Sequence, residues 1–62
     1  MKEGTFVVCV ALVRPEIYFF DEQERAEKFA HHGILKGLPI LLGKVVLLEV
    51  TEVFSIIWME KF

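Results

Sequence analysis

Few residues of this chain have the types and spacing that support chemistry. His31 and His32 are adjacent, and Cys9 is the only cysteine. Adjacent residues on a helix point about 100° apart, so the two histidines would need further ligands to reach the four that structural zinc takes. Cys9 stands among Val and Ala residues, with no electropositive neighbour to activate its thiol. We therefore expect no metal, no cofactor and no catalytic thiol here.

Four carboxylates lie close together at Asp21, Glu22, Glu24 and Glu27. Such a cluster could perform acid/base chemistry or bind a divalent cation, but the alternating acidic pattern of a calcium loop is absent. The same positions suit the start of a helix, with Asp21 as the N-cap and Glu24 three residues on in a capping box. Ser55 is the only serine, and the glycines are too dispersed for a phosphate-binding loop. We expect these acids to be structural and the protein not to be an enzyme, with no catalytic residues.

The helix that would position these groups follows Asp21. The pattern predicts a helix from Glu22 to His32, ended by Gly33 at the C′ position. A narrow apolar stripe at i, i+3, i+4 and i+7 spacing runs along it, formed by Ala26, Phe29, Ala30 and Gly33.

Two strands are predicted before the helix. Thr5 to Val13 is a continuous β-prone apolar run, and Ile17 to Phe20 is a second, shorter one. Pro15 interrupts them, so we expect an antiparallel hairpin. Because both faces of the first run are apolar, the sequence predicts a strand that is covered on both sides.

The region after the helix is harder to interpret. Six of the ten residues from Ile34 to Gly43 are Ile or Leu, so this segment is expected to cover a core edge or to form a contact surface. Lys44 to Val50 and Val53 to Met59 are β-prone. Thr51-Glu52 lacks the Gly, Pro or Asn of a tight turn, so we favour one long strand bent there, with a second hairpin as the alternative.

These elements predict an α+β fold in a single domain, residues 1–62. We expect an antiparallel sheet of three or four strands with one helix packed on one face, in the order β-β-α-β(-β). The chain is 55% hydrophobic with a mean hydropathy of +0.52, above the roughly 45–50% of ordinary soluble domains. One narrow helix can cover only one of two apolar sheet faces, so the other must face a partner, a membrane or a ligand.

The sequence therefore predicts a small protein-association module. We expect a homodimer formed through the uncovered sheet face or edge, with docking on a larger protein as a further use of that surface. Trp58 is the expected contact anchor. The full set of expected interface residues is Trp58, Phe54, Ile56, Leu38, Ile40 and Leu41.

Two other functions compete with association. A dimer that brings together Lys44, Lys61 and the aromatic residues could bind nucleic acid, although the net charge of −2 and the scattered basic residues argue against it. Peripheral membrane binding through Ile34 to Leu42 is the third candidate. A spanning helix over Leu38 to Met59 is disfavoured by its internal charges, and the single cysteine suggests a reducing, cytoplasmic compartment.

Overall fold

A computed structural model describes residues 3–48 and 53–61 of the chain. The elements follow the chain as β1 (Phe6–Val10), β2 (Glu16–Phe20), α1 (Gln23–Leu35), β3 (Ile40–Leu48) and β4 (Val53–Lys61). The strands form one four-stranded antiparallel sheet in the order β2-β1-β3-β4. The helix packs on β1, β3 and β2. The predicted α+β class and element order are confirmed.

The first hairpin forms as predicted, but its first strand is shorter. β1 ends at Val10, where the expected run continued to Val13. Beyond it, the Ala11 amide donates to the Pro39 carbonyl, and the Leu12 amide donates to the Val10 carbonyl, which turns the chain out of the sheet. Val13 is fully exposed as a result.

The C-terminal region is a hairpin, so the single bent strand favoured from the sequence is wrong. β3 begins at Ile40, four residues before the predicted start at Lys44, and β4 returns antiparallel beside it. Apolar cross-strand pairs such as Leu47 with Phe54 stabilise this arrangement. The expected bend at Thr51-Glu52 lies outside the described residues.

The helix begins one residue later than the sequence predicts. α1 starts at Gln23 with Glu22 as the N-cap residue, and the Glu22 side chain makes no capping hydrogen bond. Asp21 is therefore not the cap, and Glu24 falls one position short of a capping box. Instead, Oε2 of Glu22 lies 3.4 Å from Nε of Arg25 in an exposed ion pair. Glu22 and Glu24 still place negative charge at the positive end of the helix dipole.

The helix also ends later than predicted. Gly33 lies inside α1, which continues to Leu35, and Gly37 with φ of +78° takes the left-handed C′ position. The Gly37 amide donates to the Ile34 carbonyl at 2.9 Å, and the Leu38 amide donates to the Gly33 carbonyl at 3.0 Å. These two bonds form a Schellman motif, which satisfies the last carbonyls of the helix.

The main core lies between the helix and one face of the sheet. Its buried members are Val8, Val10, Ala26, Ala30, Ile40 and Leu42, with Phe6, Phe20, Phe29, Ile34 and Leu38 packed against them. The small residues on α1 let the helix approach the sheet closely. A Cβ added at Gly33 would lie 2.7 Å from Ile40 Cδ1, so this glycine serves close packing and not helix termination.

Candidate functional site

The strand register separates the two faces of the sheet. Side chains alternate along a strand, and residues directly opposite each other share a face. Val8 is opposite both Tyr18 and Leu42, so these three residues are on the helix side. The opposite side, which we call the open face, has Lys61 at the end of β4, opposite Leu41 in register, and apolar residues at its other described positions. They are Val7, Cys9, Ile17, Phe19, Leu41, Gly43, Val45, Leu47, Phe54, Ile56 and Trp58.

Large apolar side chains are exposed across the open face. Five of them are between 37% and 51% exposed, namely Ile17, Phe19, Leu47, Phe54 and Trp58. Within residues 3–48 and 53–61, the one helix packs on the other side of the sheet. At about 100 Å² for each half-exposed large side chain, the open face presents about 500 Å² of apolar surface. An area of that size is in the upper part of the range of about 300–600 Å² for the largest apolar patch of a monomer, and such patches are often functional.

The centre of the open face is nevertheless shielded by its own neighbours. Val7 and Val45 have no exposed surface. Trp58 lies directly across Gly43, since a Cβ added there would meet Trp58 Cε3 at 2.7 Å and Ile56 Cγ2 at 2.9 Å. The missing side chain at Gly43 thus lets the indole lie against the sheet while Trp58 remains 44% exposed. Its outward surface is available to a partner.

Four of the predicted interface residues share this face. Phe54, Ile56 and Trp58 alternate along β4 with their side chains on the open face, and Leu41 occupies the corresponding side of β3. The structure therefore brings together residues that are up to seventeen positions apart in sequence. They share this face with Ile17 and Phe19 of β2.

The remaining two predicted interface residues lie elsewhere. Ile40 is 1% exposed beneath the helix, and Leu38 packs against the same core. Sequence reasoning also omitted Ile17, Phe19 and Leu47 from the surface. In β2, Ile17 and Phe19 are on the open face and Tyr18 and Phe20 are on the helix side, but all four are apolar or aromatic, so the sequence carries no signal that separates them.

A groove of about 200 Å³ opens between the C-terminal half of the helix and the sheet. At its rim the Tyr18 hydroxyl donates a hydrogen bond to Glu16 at 3.2 Å. This bond, with smaller contributions from desolvation and the negative charge of Glu16, raises the pKa of Tyr18 above its usual value. His32 and Lys36 line the opposite wall. The groove has an apolar floor and a mixed-charge rim, and the phenol remains protonated at neutral pH.

The residues considered first for chemistry are dispersed. Cys9 is buried on the open face, paired in register with Ile17 and Leu41. His31 and His32 are exposed on the second half of the helix. Over the described parts of the chain, no group of three or more His, Cys, Asp and Glu could hold a metal ion.

Lys44 does not share a face with the aromatic residues of β4. Lys44 lies on the helix side, with its ammonium 5.7 Å from the centre of the Phe6 ring, whereas Phe54 and Trp58 lie on the open face. The side chain of Lys61 lies outside the described residues. One copy of the chain therefore provides no surface that joins Lys44 to the aromatic residues of β4.

In the segment considered for membrane contact, Ile34 to Leu42, four of the six Ile and Leu residues pack in or against the core. Ile40 and Leu42 are each 1% exposed, and Ile34 and Leu38 pack against the core. Leu35, at 87%, is its most exposed apolar residue. No helix in the described part of the chain is long and apolar enough to cross a membrane.

Comparison of the chain with protein-family models, with curated proteins and with solved structures gives no match. Function is therefore inferred from the open face and from the strand that borders it.

Proposed function

We propose that this chain is a small, non-enzymatic protein-association module that forms a homodimer through the open face or the β4 edge that borders it. The same surface would serve for docking on a larger protein. The observation that carries the proposal is the open face itself, on which five large apolar side chains remain 37–51% exposed.

The side chains described on the open face fit a symmetric pair. They are uncharged, and Lys61, which is opposite Leu41 in register, is at the end of β4, so the centre of the face is complementary to a second copy of itself. No buried ion pair would have to form.

The total surface of the chain supports the same interpretation. Its accessible area is 4693 Å², whereas the scaling of area with mass gives about 4,100 Å² for a compact monomer of 7.2 kDa. The excess is consistent with a β3–β4 hairpin that extends beyond the helix-covered body. A chain of this size gains stability most readily by association, since Cys9 offers no internal disulfide.

Size-exclusion chromatography with light scattering tests the proposal. The wild type should elute as a dimer, and Trp58→Lys should weaken dimerisation at least about 30-fold, the effect of losing an interface anchor of about 2 kcal/mol. Val13→Lys is the matched control, because Val13 is fully exposed and lies away from the open face. It should leave the dimer intact.

Phe54→Lys provides a second variant in case Trp58→Lys fails to fold, since Phe54 is 44% exposed and does not cover Gly43. Circular dichroism checks that each variant keeps its helix and sheet. A wild type that is folded and has the mass of one copy contradicts the proposal. So does a folded dimer that persists in both lysine variants.

A further inference from the structure

The two edges of the sheet differ in how they are protected. β2 is five residues long, follows Pro15 and begins at Glu16, features that discourage pairing with another strand. β4 is nine residues long, and its first seven residues, Val53 to Met59, contain no charge and no proline. The ladder with β3 is regular from Val53 to Trp58, and its register shifts between Gly43 and Leu42, so that Met59 has no opposite residue. The regular stretch from Val53 to Trp58 is a long, apolar edge that can serve as a template for a further strand.

The backbone groups that face this edge can be identified from the register. In β3, the Val45 amide donates to the Thr5 carbonyl at 2.8 Å, and the Val45 carbonyl accepts from the Gly4 amide at 2.9 Å. Both backbone groups of Val45 therefore point toward β1. Val45 is opposite Ile56, so this pair is not hydrogen-bonded and Ile56 points its own N–H and C=O toward the free edge.

The two-residue repeat of an antiparallel ladder gives Phe54 and Trp58 the same outward orientation as Ile56. These are also the β4 residues whose side chains lie on the open face. On the helix side of the same strand, Val53 is 56% exposed and Ile57 is 54% exposed, because the helix does not extend over β4. The strand is thus apolar on both faces and unpaired along its edge.

We propose that the edge of β4 pairs antiparallel with β4 of a second copy, with Ile56 opposite Ile56 of that copy. Phe54 then lies opposite Trp58, and Trp58 opposite Phe54. Each of these three pairs exchanges two N–H···O=C bonds, so every outward backbone group of Phe54, Ile56 and Trp58 is satisfied. This inference rests on the proposed homodimer and specifies its geometry.

A shifted register or a face-to-face dimer would satisfy fewer of the outward backbone groups of Phe54, Ile56 and Trp58. A shift of two residues in either direction leaves Phe54 or Trp58 without a partner from this set. A dimer packed face to face would cover the open face but leave Val53 and Ile57 exposed, along with the whole edge of β4. Edge pairing brings side chains on both faces of β4 into contact with the second copy. Its two-fold axis is perpendicular to the sheet, so the two helices lie on the same side of the joined sheet. The open faces then join into one eight-stranded surface.

Disulfide trapping tests this register. In a Cys9→Ala background, Ile56→Cys places two thiols across the two-fold axis, where hydrogen-bonded pairs have Cα atoms about 5.5 Å apart, within the range that a disulfide bridges. Mild oxidation should convert this variant to a covalent dimer. Phe54→Cys is the matched control on the same strand and face, since in this register its counterpart lies about four residues away along the strand, roughly 13 Å.

Ile17→Cys in the same background serves as the control for face-to-face packing, because Ile17 is 50% exposed on the open face of β2. Neither Phe54→Cys nor Ile17→Cys should form a homodisulfide. A dimeric protein that crosslinks at Phe54 or Ile17 but not at Ile56 overturns the edge register and leaves the proposed function standing. A wild type with the mass of one copy overturns both.

Amide hydrogen exchange gives a second measurement on the unmodified protein. In the edge-paired dimer, the Phe54, Ile56 and Trp58 amides should exchange as slowly as those of Ser55 and Ile57, which point toward β3. Fast exchange at the three outward amides of a confirmed dimer overturns the inference, even if the cysteine variants do not fold.

Discussion

Both faces of this sheet are rich in apolar residues, yet they differ in what covers them. On one face, Ala26 and Ala30 bring the helix close to the sheet, and the Phe29 ring lies 4.6 Å from Tyr18 and 5.3 Å from Phe20, centre to centre. On the other, Phe19 and Trp58 remain about half exposed. The difference shows that apolar composition alone does not tell an internal core from an external contact surface. What distinguishes them is whether another element, such as the helix, covers the face.

The largest expected effect compares two phenylalanines on opposite sides of the sheet. Phe29→Ala should lower the free energy of unfolding by about 3 kcal/mol, because the ring packs on β2 and leaves a cavity when removed. Phe19→Ala, on the open face, should cost less than about 1 kcal/mol in the isolated chain. Urea titrations of both variants at one low protein concentration would test this difference. Equal losses of unfolding free energy would show that the Phe19 ring is packed as well as the Phe29 ring.

A smaller effect is expected at Gly43, which places Trp58 on the open face. An alanine Cβ there would meet Trp58 Cε3 at 2.7 Å and the Ile57 carbonyl oxygen at 3.0 Å. Because the strand backbone cannot easily move, Gly43→Ala should cost about 1–3 kcal/mol through overpacking. It should also red-shift the emission of Trp58, the only tryptophan. Unchanged stability with unchanged emission would mean that the indole does not lie across Gly43.

The helix that closes the covered face should depend on Gly37. Gly37→Ala should lower the free energy of unfolding by about 1 kcal/mol, because φ of +78° disfavours a residue with a Cβ. Gly37→Asn should cost less, since asparagine tolerates this region better. Asp21→Ala, at the other end, should change stability by less than about 0.5 kcal/mol. Thermal unfolding measures all three, and a larger loss for Asp21→Ala than for Gly37→Ala would contradict the observed helix ends.

The smallest effect concerns the rim of the covered face. Because its hydroxyl donates to Glu16, Tyr18 should ionise at a higher pH than a free tyrosine, and Glu16→Gln should lower its pKa. The hydrogen bond contributes stability below the pKa of the unfolded chain, and this is lost as the pH rises through the raised pKa of the folded state. Tyr18 is the only tyrosine, so absorbance titration follows it directly. Glu22→Gln is the control and should leave the midpoint unchanged.

The fold class could be predicted because local patterns and tertiary packing agree over most of the chain. The stripe from Ala26 to Gly33 identified the helix face that packs on the sheet, and Pro15 identified the first turn. The helix ends could not be read correctly, since Gly33 is required by the close approach of Ile40 and Gly37 supplies the left-handed residue. Both glycines are plausible helix terminators from sequence, and packing decides between them.

The candidate site was predicted only in part, for a related reason. Phe54, Ile56 and Trp58 were predicted together and share the open face. Ile40 and Leu41 were also predicted together, yet adjacent strand residues point to opposite faces, so Ile40 lies beneath the helix. Where a strand is apolar on both sides, the sequence carries no alternation that would show which residues face the helix. The register of β3 against β1 supplies that information.

Sedimentation equilibrium of the wild-type protein, over a dilution series through the micromolar range, tests the central claim most directly. The uncovered face and edge predict a molar mass of twice 7.2 kDa that falls on dilution, with the emission of Trp58 shifting to the red as the copies separate. A folded chain that keeps the mass of one copy throughout the series, with unchanged Trp58 emission, would contradict it.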